Sequence, residues 1–191
     1  MFRTLFSALA ALVLAFAALP AAAQQLSLKQ ISTYLNALQT VQSPFTQINA
    51  DGTISTGTIA ISRPGKARFD YNAPESGLVL VSSGAVYIID RKLGGDPETY
   101  PLNQTPLSII LARNVDLGTA GMVTGHSYDG TATIVTAQDP KRPEYGSIQM
   151  KFTADPVELR QWIITDRDGT KTTVVLGGLE NVKLPLSKFL P

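Results

Sequence analysis

The sequence contains no cysteine and a single histidine, His126. The first absence excludes disulfides, thiolate nucleophiles and cysteine-ligated zinc, so stability must come from packing alone. The second leaves acid–base chemistry nearly without its usual agent. Gly125-His126-Ser127-Tyr128 shares features with a nucleophile elbow, but Asp129 stands where the second glycine belongs and no other histidine can serve as base. A strand or loop histidine is the better reading. Asp166-Arg167-Asp168-Gly169 begins like a calcium loop, yet the bidentate glutamate is missing downstream, and Asp-Gly between two strand patterns makes a hairpin turn. Zinc spacings and phosphate-cradling glycine loops are missing as well, so neither a metal nor a cofactor is expected. Carboxylates distant in sequence can still meet, but nothing points to a glycosidase-like pair. An excess of either charge is also lacking: 16 Lys and Arg face 15 Asp and Glu. Nucleic acid is therefore excluded as a partner, as is a polybasic mode of membrane binding.

One long apolar run is present, from Leu5 to Leu19, with Arg3 ahead of it and Pro20 and Ala21-Ala22-Ala23 behind. This has the form of a secretory signal cleaved after Ala23. The run is short for a membrane span and no basic flank follows it, so retention as an anchor is disfavoured. With no cysteine at the cleavage site, lipid anchoring by that route is excluded. The expected mature chain starts at Gln24, keeps 168 of the 191 residues and balances 15 cations against 15 anions. That length suits one domain with a sizeable core, residues 24–191. Export combined with a lack of disulfides points to a bacterial periplasm, with a soluble monomer expected.

The mature chain opens with a helix: Ser27-Leu28-Lys29-Gln30 has capping-box form, and Leu28, Ile31, Leu35 and Leu38 recur at helical spacing. Its end is placed near Ser43-Pro44. From there the period switches to two, predicting strands at 45–50, 54–62, 67–72, 77–82, 85–90, 122–128, 131–137, 146–153, 159–166 and 170–177. Asn49-Ala50-Asp51-Gly52, Pro64-Gly65, Ser83-Gly84, Asp129-Gly130 and Asp168-Gly169 fall between successive strands and suit antiparallel hairpins. The sheet should be a meander. One interruption, residues 105–112, reads as a helix with Thr105 as N-cap and Pro106 at the first helical position.

Alternation on the strands separates an apolar face from a wet one. Ile148, Met150 and Phe152 oppose Gln149, Lys151 and Thr153, and Phe69 and Tyr71 oppose Arg68 and Asp70. About ten antiparallel strands tend to curl, and two short helices are a thin cover for their apolar face. Either the sheet closes on itself as a sandwich, or it wraps into a part-barrel with a hollow not filled by its own side chains. Candidates to line such a hollow are Phe69, Tyr71, Leu80, Ile88, Ile109, Trp162, Ile164 and Val174, each of which would serve equally well as plain core.

Several blocks together resemble the outer-membrane lipoprotein carrier protein (LolA) family. They are Phe45-Thr46-Gln47 after the first helix, Gly57 and Ile59, the run Arg63-Pro64-Gly65-Lys66-Ala67-Arg68-Phe69-Asp70-Tyr71 with Pro74 behind it, and Ser83-Gly84 ahead of Val86-Tyr87-Ile88. Thr105-Pro106-Leu107 through Leu111-Ala112-Arg113, Gln161-Trp162 running to Asp166 and Gly169, then Asn181 and Phe189 complete the set. The resemblance implies a mainly β fold, a curved antiparallel half-barrel under a helical lid, enclosing a cavity for the acyl chains of outer-membrane lipoproteins. It implies an inner-membrane ABC transporter as donor, an outer-membrane receptor as acceptor, and no enzymatic activity. Leu107, Ile110 and Leu111 would then form a movable cover and, with Ile109, help to line the acyl-chain cavity. Arg63, read from the residues alone as the tip of a solvated Pro-Gly turn, would by resemblance be a latch bonded to lid carbonyls. Alternatives are a related carrier or sensor for another envelope lipid, an envelope hydrolase, or a purely structural sandwich.

Overall fold

The computed structural model describes residues 25–190; the leader read in residues 1–23 lies outside them. Ser27 starts the first helix, α1 (Leu28–Ala37), through a reciprocal capping box. Its Oγ accepts from the Gln30 N–H at 3.2 Å, and Gln30 Oε1 accepts from the Ser27 N–H at 2.9 Å. Ile31 and Leu35 form the buried stripe. The helix ends well before Ser43-Pro44, because strand β1 (Thr40–Ile48) has already begun. Val41, Ser43 and Phe45 alternate inward, so strand parity overrides the helical spacing of Leu38. Pro44 is tolerated mid-strand: its carbonyl accepts from Gly177 N–H at 3.0 Å, and beside it the neighbouring ladder changes from one strand to another, so no donor is missed.

The remaining elements follow as β2 (Ile54–Ser62), β3 (Lys66–Tyr71), β4 (Gly77–Ser82), β5 (Ala85–Asp90), β6 (Glu98–Pro101), α2 (Leu107–Leu111), β7 (Val123–Tyr128), β8 (Thr133–Gln138), β9 (Ser147–Ala154), β10 (Val157–Thr165), β11 (Lys171–Leu176) and β12 (Glu180–Asn181). Among the described residues these twelve strands form one antiparallel sheet in the order β6-β5-β4-β3-β2-β1-β11-β10-β9-β8-β7, with β12 also paired to β1. All ten expected strands are present, and β6 and β12 are additional. The sheet is two hairpin meanders joined where β1 meets β11, with Phe45 opposite Leu176 and Gln47 opposite Val174.

The two outermost strands, β6 and β7, do not pair, so the sheet stays open. The chain linking them runs through a 3-10 turn (Leu102–Gln104), α2 and residues 112–122. The cover is thus the crossover between the two lips of the sheet. Thr105 does not cap α2 through its side chain. Its hydroxyl donates to the Leu102 carbonyl at 2.9 Å, and the helix is shortened to five residues with Pro106 at the N-cap. A helix that short holds its shape through packing, and Leu107, Ile109, Ile110 and Leu111 are all buried.

Two apolar layers result. On the concave face, Ile31 and Leu35 of α1 and Ile110 and Leu111 of α2 belong to one buried cluster with Val135, Met150, Phe152 and Trp162. On the convex face, a C-terminal 3-10 turn (Leu186–Phe189) packs against β3 and β4. Arg68, bridged to Asp70 at 2.7 Å, pins this turn by donating to the Lys188 carbonyl at 3.2 Å.

Candidate functional site

Beneath Thr105 and Leu107, the concave face holds a hollow of about 270 Å³ lined by Gln47, Phe69, Tyr71, Val79, Val86, Ile88, Thr105, Leu107, Trp162, Ile164, Thr172 and Val174. Alternation explains why these side chains converge: Phe69 pairs with Val79, Val79 with Ile88, Gln47 with Val174 and Val174 with Trp162, all at inward parity. Burial grades along it. Trp162 and Val174 are 1% and 3% exposed, while Ile88 is 43% exposed. The buried Trp162 and Val174 stand in register with Gln47 of β1, and the exposed Ile88 lies on β5 beside β6.

Edge-to-face contacts fix the aromatic wall, with ring centroids 5.7 Å apart for Phe45 and Phe69, 5.2 Å for Phe45 and Tyr71, and 6.4 Å for Phe69 and Trp162. Gly57 makes room for it. A Cβ there would lie 2.7 Å from the Phe45 ring and closer still to the Asp70 carbonyl oxygen.

Of the residues named from the sequence, Phe69, Tyr71, Ile88, Leu107, Trp162, Ile164 and Val174 lie around the hollow. It does not place the others there. Leu80 pairs with Arg68 at outward parity, so it is buried on the convex face, in the layer closed by the C-terminal turn. Ile109, Ile110 and Leu111 do not line the hollow; they are buried in the core cluster as the fastening of α2. Gln47, Val79, Val86, Thr105 and Thr172 were not among the expected lining residues. Period-two spacing from Phe45, Ile88 and Val174 is the sequence signal for Gln47, Val86 and Thr172; Val79 sits in a run of consecutive apolar residues and Thr105 on the crossover, where no alternation exists.

At the closed end, Arg63 sits in the β2–β3 turn. Its Nη2 donates to the Ala112 carbonyl at 2.6 Å and to Asn36 Oδ1 at 3.2 Å, while Gly65 N–H donates to the Leu111 carbonyl at 2.9 Å. Partial burial pulls the guanidinium below its ordinary pKa, and its Nε is buried with no partner. Asn36, unforeseen from the sequence, is the hub: Oδ1 also accepts from Val115 N–H and Nδ2 donates to the Val115 carbonyl, both at 2.9 Å. One helix, one hairpin tip and the end of α2 therefore meet in a small polar knot.

Among the described residues, the two motifs that resemble a nucleophile elbow and a calcium loop take other roles. His126 lies within β7, not at a strand-to-helix elbow, and its Nε2 is 2.8 Å from the Leu26 carbonyl. Asp166 Oδ1 accepts from the N–H groups of Asp168 and Thr170, completing a hairpin turn between β10 and β11. Among the described residues no group of three or more His, Cys, Asp or Glu could hold a metal ion.

Comparison with known proteins places this geometry. Residues 36–191 match the family model described as outer membrane lipoprotein carrier protein LolA. An outer-membrane lipoprotein carrier protein of Azotobacter vinelandii is 24% identical over 196 residues, covering 97% of this chain and 93% of its own. The corresponding protein of Dechloromonas aromatica is 29% identical over 189 residues, covering 91% and 87%. Among solved structures, an uncharacterized conserved protein from Thermus thermophilus superposes with a TM-score of 0.51 at 9% identity, covering 85% of this chain and 93% of that one, which is a likeness of fold alone. With the match running from the last turn of α1 through the hollow, the lid and the C-terminal turn, the chain belongs to the LolA family of outer-membrane lipoprotein carriers.

Proposed function

We propose that the chain is a periplasmic chaperone that takes the acyl chains of lipoproteins into the hollow under α2, collecting them from an inner-membrane ABC transporter and passing them to an outer-membrane receptor. The observation that carries this reading is the apolar hollow under a five-residue helix whose far end is held by Arg63. Its chemistry is binding, with no bond made or broken.

The hollow of about 270 Å³ falls just below the roughly 300–1,000 Å³ of drug-sized ligand sites. A long acyl chain therefore enters only if α2 lifts. Each methylene withdrawn from water contributes about 0.8 kcal/mol, so a long chain gains on the order of 10 kcal/mol. A site that kept all of that gain would never release its cargo. Closing α2 over the empty hollow restores its own apolar burial and the Arg63 bonds, and both are lost on loading. Net affinity falls by that amount. Arg63 then acts as a latch that favours release.

Lipids co-purified with the protein from its native envelope, identified by mass spectrometry, test the reading. Lipopeptides or acyl-chain lipids in stoichiometric amount are expected. A lipid-free protein that also fails to bind a fluorescent fatty-acid probe would refute it.

A further inference from the structure

Gln47 is the one primary amide lining the hollow, and a fixed relay of hydrogen bonds sets which way it faces. The relay starts outside, at Asp51 in the β1–β2 turn. Hydrogen bonds from the Thr53 hydroxyl and backbone N–H hold the Asp51 carboxyl below its ordinary pKa, so it is a carboxylate at neutral pH and can only accept. Thr53 Oγ1 gives its hydrogen to Asp51 at 2.7 Å, so it can only accept from Asn49 Nδ2, 2.9 Å away. Asn49 must therefore turn Oδ1 toward Gln47, whose Nε2 donates to it at 2.6 Å. That fixes Gln47 Oε1 on the other side, where it accepts from Tyr71 Oη at 2.7 Å.

Two valences are left over where the wall meets the hollow. A primary amide carries two N–H hydrogens, and Asn49 takes one of them. Tyr71 spends its hydrogen on Gln47, which leaves its oxygen as an acceptor. Among the described residues no protein group is bonded to either remaining site. Both half-buried side chains line a mostly apolar pocket whose other polar lining groups are the hydroxyls of Thr105 and Thr172, so the donor and the acceptor stand side by side in its wall.

From this we infer that the hollow recognises the amide at the head of an N-acyl chain, its carbonyl accepting from Gln47 Nε2 and its N–H donating to Tyr71 Oη. A fatty ester offers a carbonyl but no donor, so it satisfies only half of the pair. The inference rests on the carrier reading and narrows its cargo to amide-linked chains. Such an amide occurs both at the N-acylated terminus of a peptide and in free N-acyl lipids, and the two are distinguished below.

The test compares three probes of one chain length by calorimetry on the intact mature protein: an N-dodecanoyl dipeptide, N-methyl dodecanamide and methyl dodecanoate. Only the amides make the second bond, to Tyr71 Oη, and one neutral hydrogen bond predicts that they bind about fivefold more tightly than the ester. Tyr71→Phe should bring the amide preference to about twofold or less, and Gln47→Met, which removes the donor that both carbonyls use, should weaken amide and ester alike. Tighter binding of the dipeptide than of the small amide assigns the site to acylated peptides, and the reverse assigns it to free lipids. Equal amide and ester affinity in the wild type, or an undiminished preference in Tyr71→Phe, overturns the inference and leaves the carrier reading standing. If no probe binds at all, the carrier reading falls and takes this inference with it.

Discussion

Replacing Arg63 by leucine should trap cargo. The side chain makes two bonds through Nη2, to the Ala112 carbonyl at 2.6 Å and to Asn36 Oδ1 at 3.2 Å. A hydrogen bond from a charged donor contributes about 1.5–3 kcal/mol. The side chain is only partly buried and carries an unpartnered Nε, so one such bond, and not two, is a fair measure of the net effect. Leucine leaves no buried charge behind, so the loss falls on the closed, empty state. With a factor of ten for every 1.4 kcal/mol, cargo affinity should rise about tenfold to a hundredfold. Association is set mainly by diffusion and entry, so most of the change should appear as slower release. The assay loads the protein with a fluorescent acylated peptide and follows its transfer to acceptor vesicles by stopped flow. Arg63→Leu should load normally and release at least tenfold more slowly, with Arg63→Lys in between, because an ammonium lacks the planar fork. Release at the wild-type rate from a folded Arg63→Leu protein would refute the latch.

Three further outcomes follow from the same geometry. Ile110 is 1% exposed, so Ile110→Ala should cost about 2–5 kcal/mol; hydrogen exchange should nevertheless find α2 opening faster than β9 in the native protein, and equal protection would argue against a mobile cover. Gly57→Ala should lower the melting temperature by several degrees in a circular dichroism melt, since the added methyl group collides with the Asp70 carbonyl and the Phe45 ring. At Asp70, burial pulls the carboxyl up, but hydrogen bonds from Arg68 and Arg91 outweigh it and hold the pKa below the ordinary value. A depressed folded-state pKa means stabilisation that is present above about pH 4 and lost as pH falls through the folded value. Asp70→Asn should thus melt below wild type at pH 7, with the gap closing under acid; a gap independent of pH would refute the assignment.

The strands were legible because period-two alternation and turn residues agree along most of the chain. They were illegible where burial does not alternate. All four residues of β6 are exposed and β12 has two residues, so neither leaves a pattern to read. Leu80 shows the other limit: Val79, Leu80 and Val81 are consecutive apolar residues, and only the pairing of Arg68 with Leu80 tells which of them faces inward. The convex face looks apolar there because a C-terminal turn covers it, which no local pattern announces. Likewise Arg63 could be read from its residues only as a hairpin tip. Its acceptors lie 27 and 49 positions away, brought near by the crossover.

Strand β1 has one neighbour that follows it closely in sequence, β2, and another, β11, that is nearly the last segment of the chain: residue 45 meets residue 176. Each meander can zip up from neighbouring hairpins, but their union waits for the polypeptide to be almost fully made. Pairings of such long separation form slowly. During that interval Phe45, Phe69 and Trp162 stand on two unjoined half-sheets, and whatever keeps those halves apart from other chains shapes the yield of finished protein as much as the stability of the finished fold does.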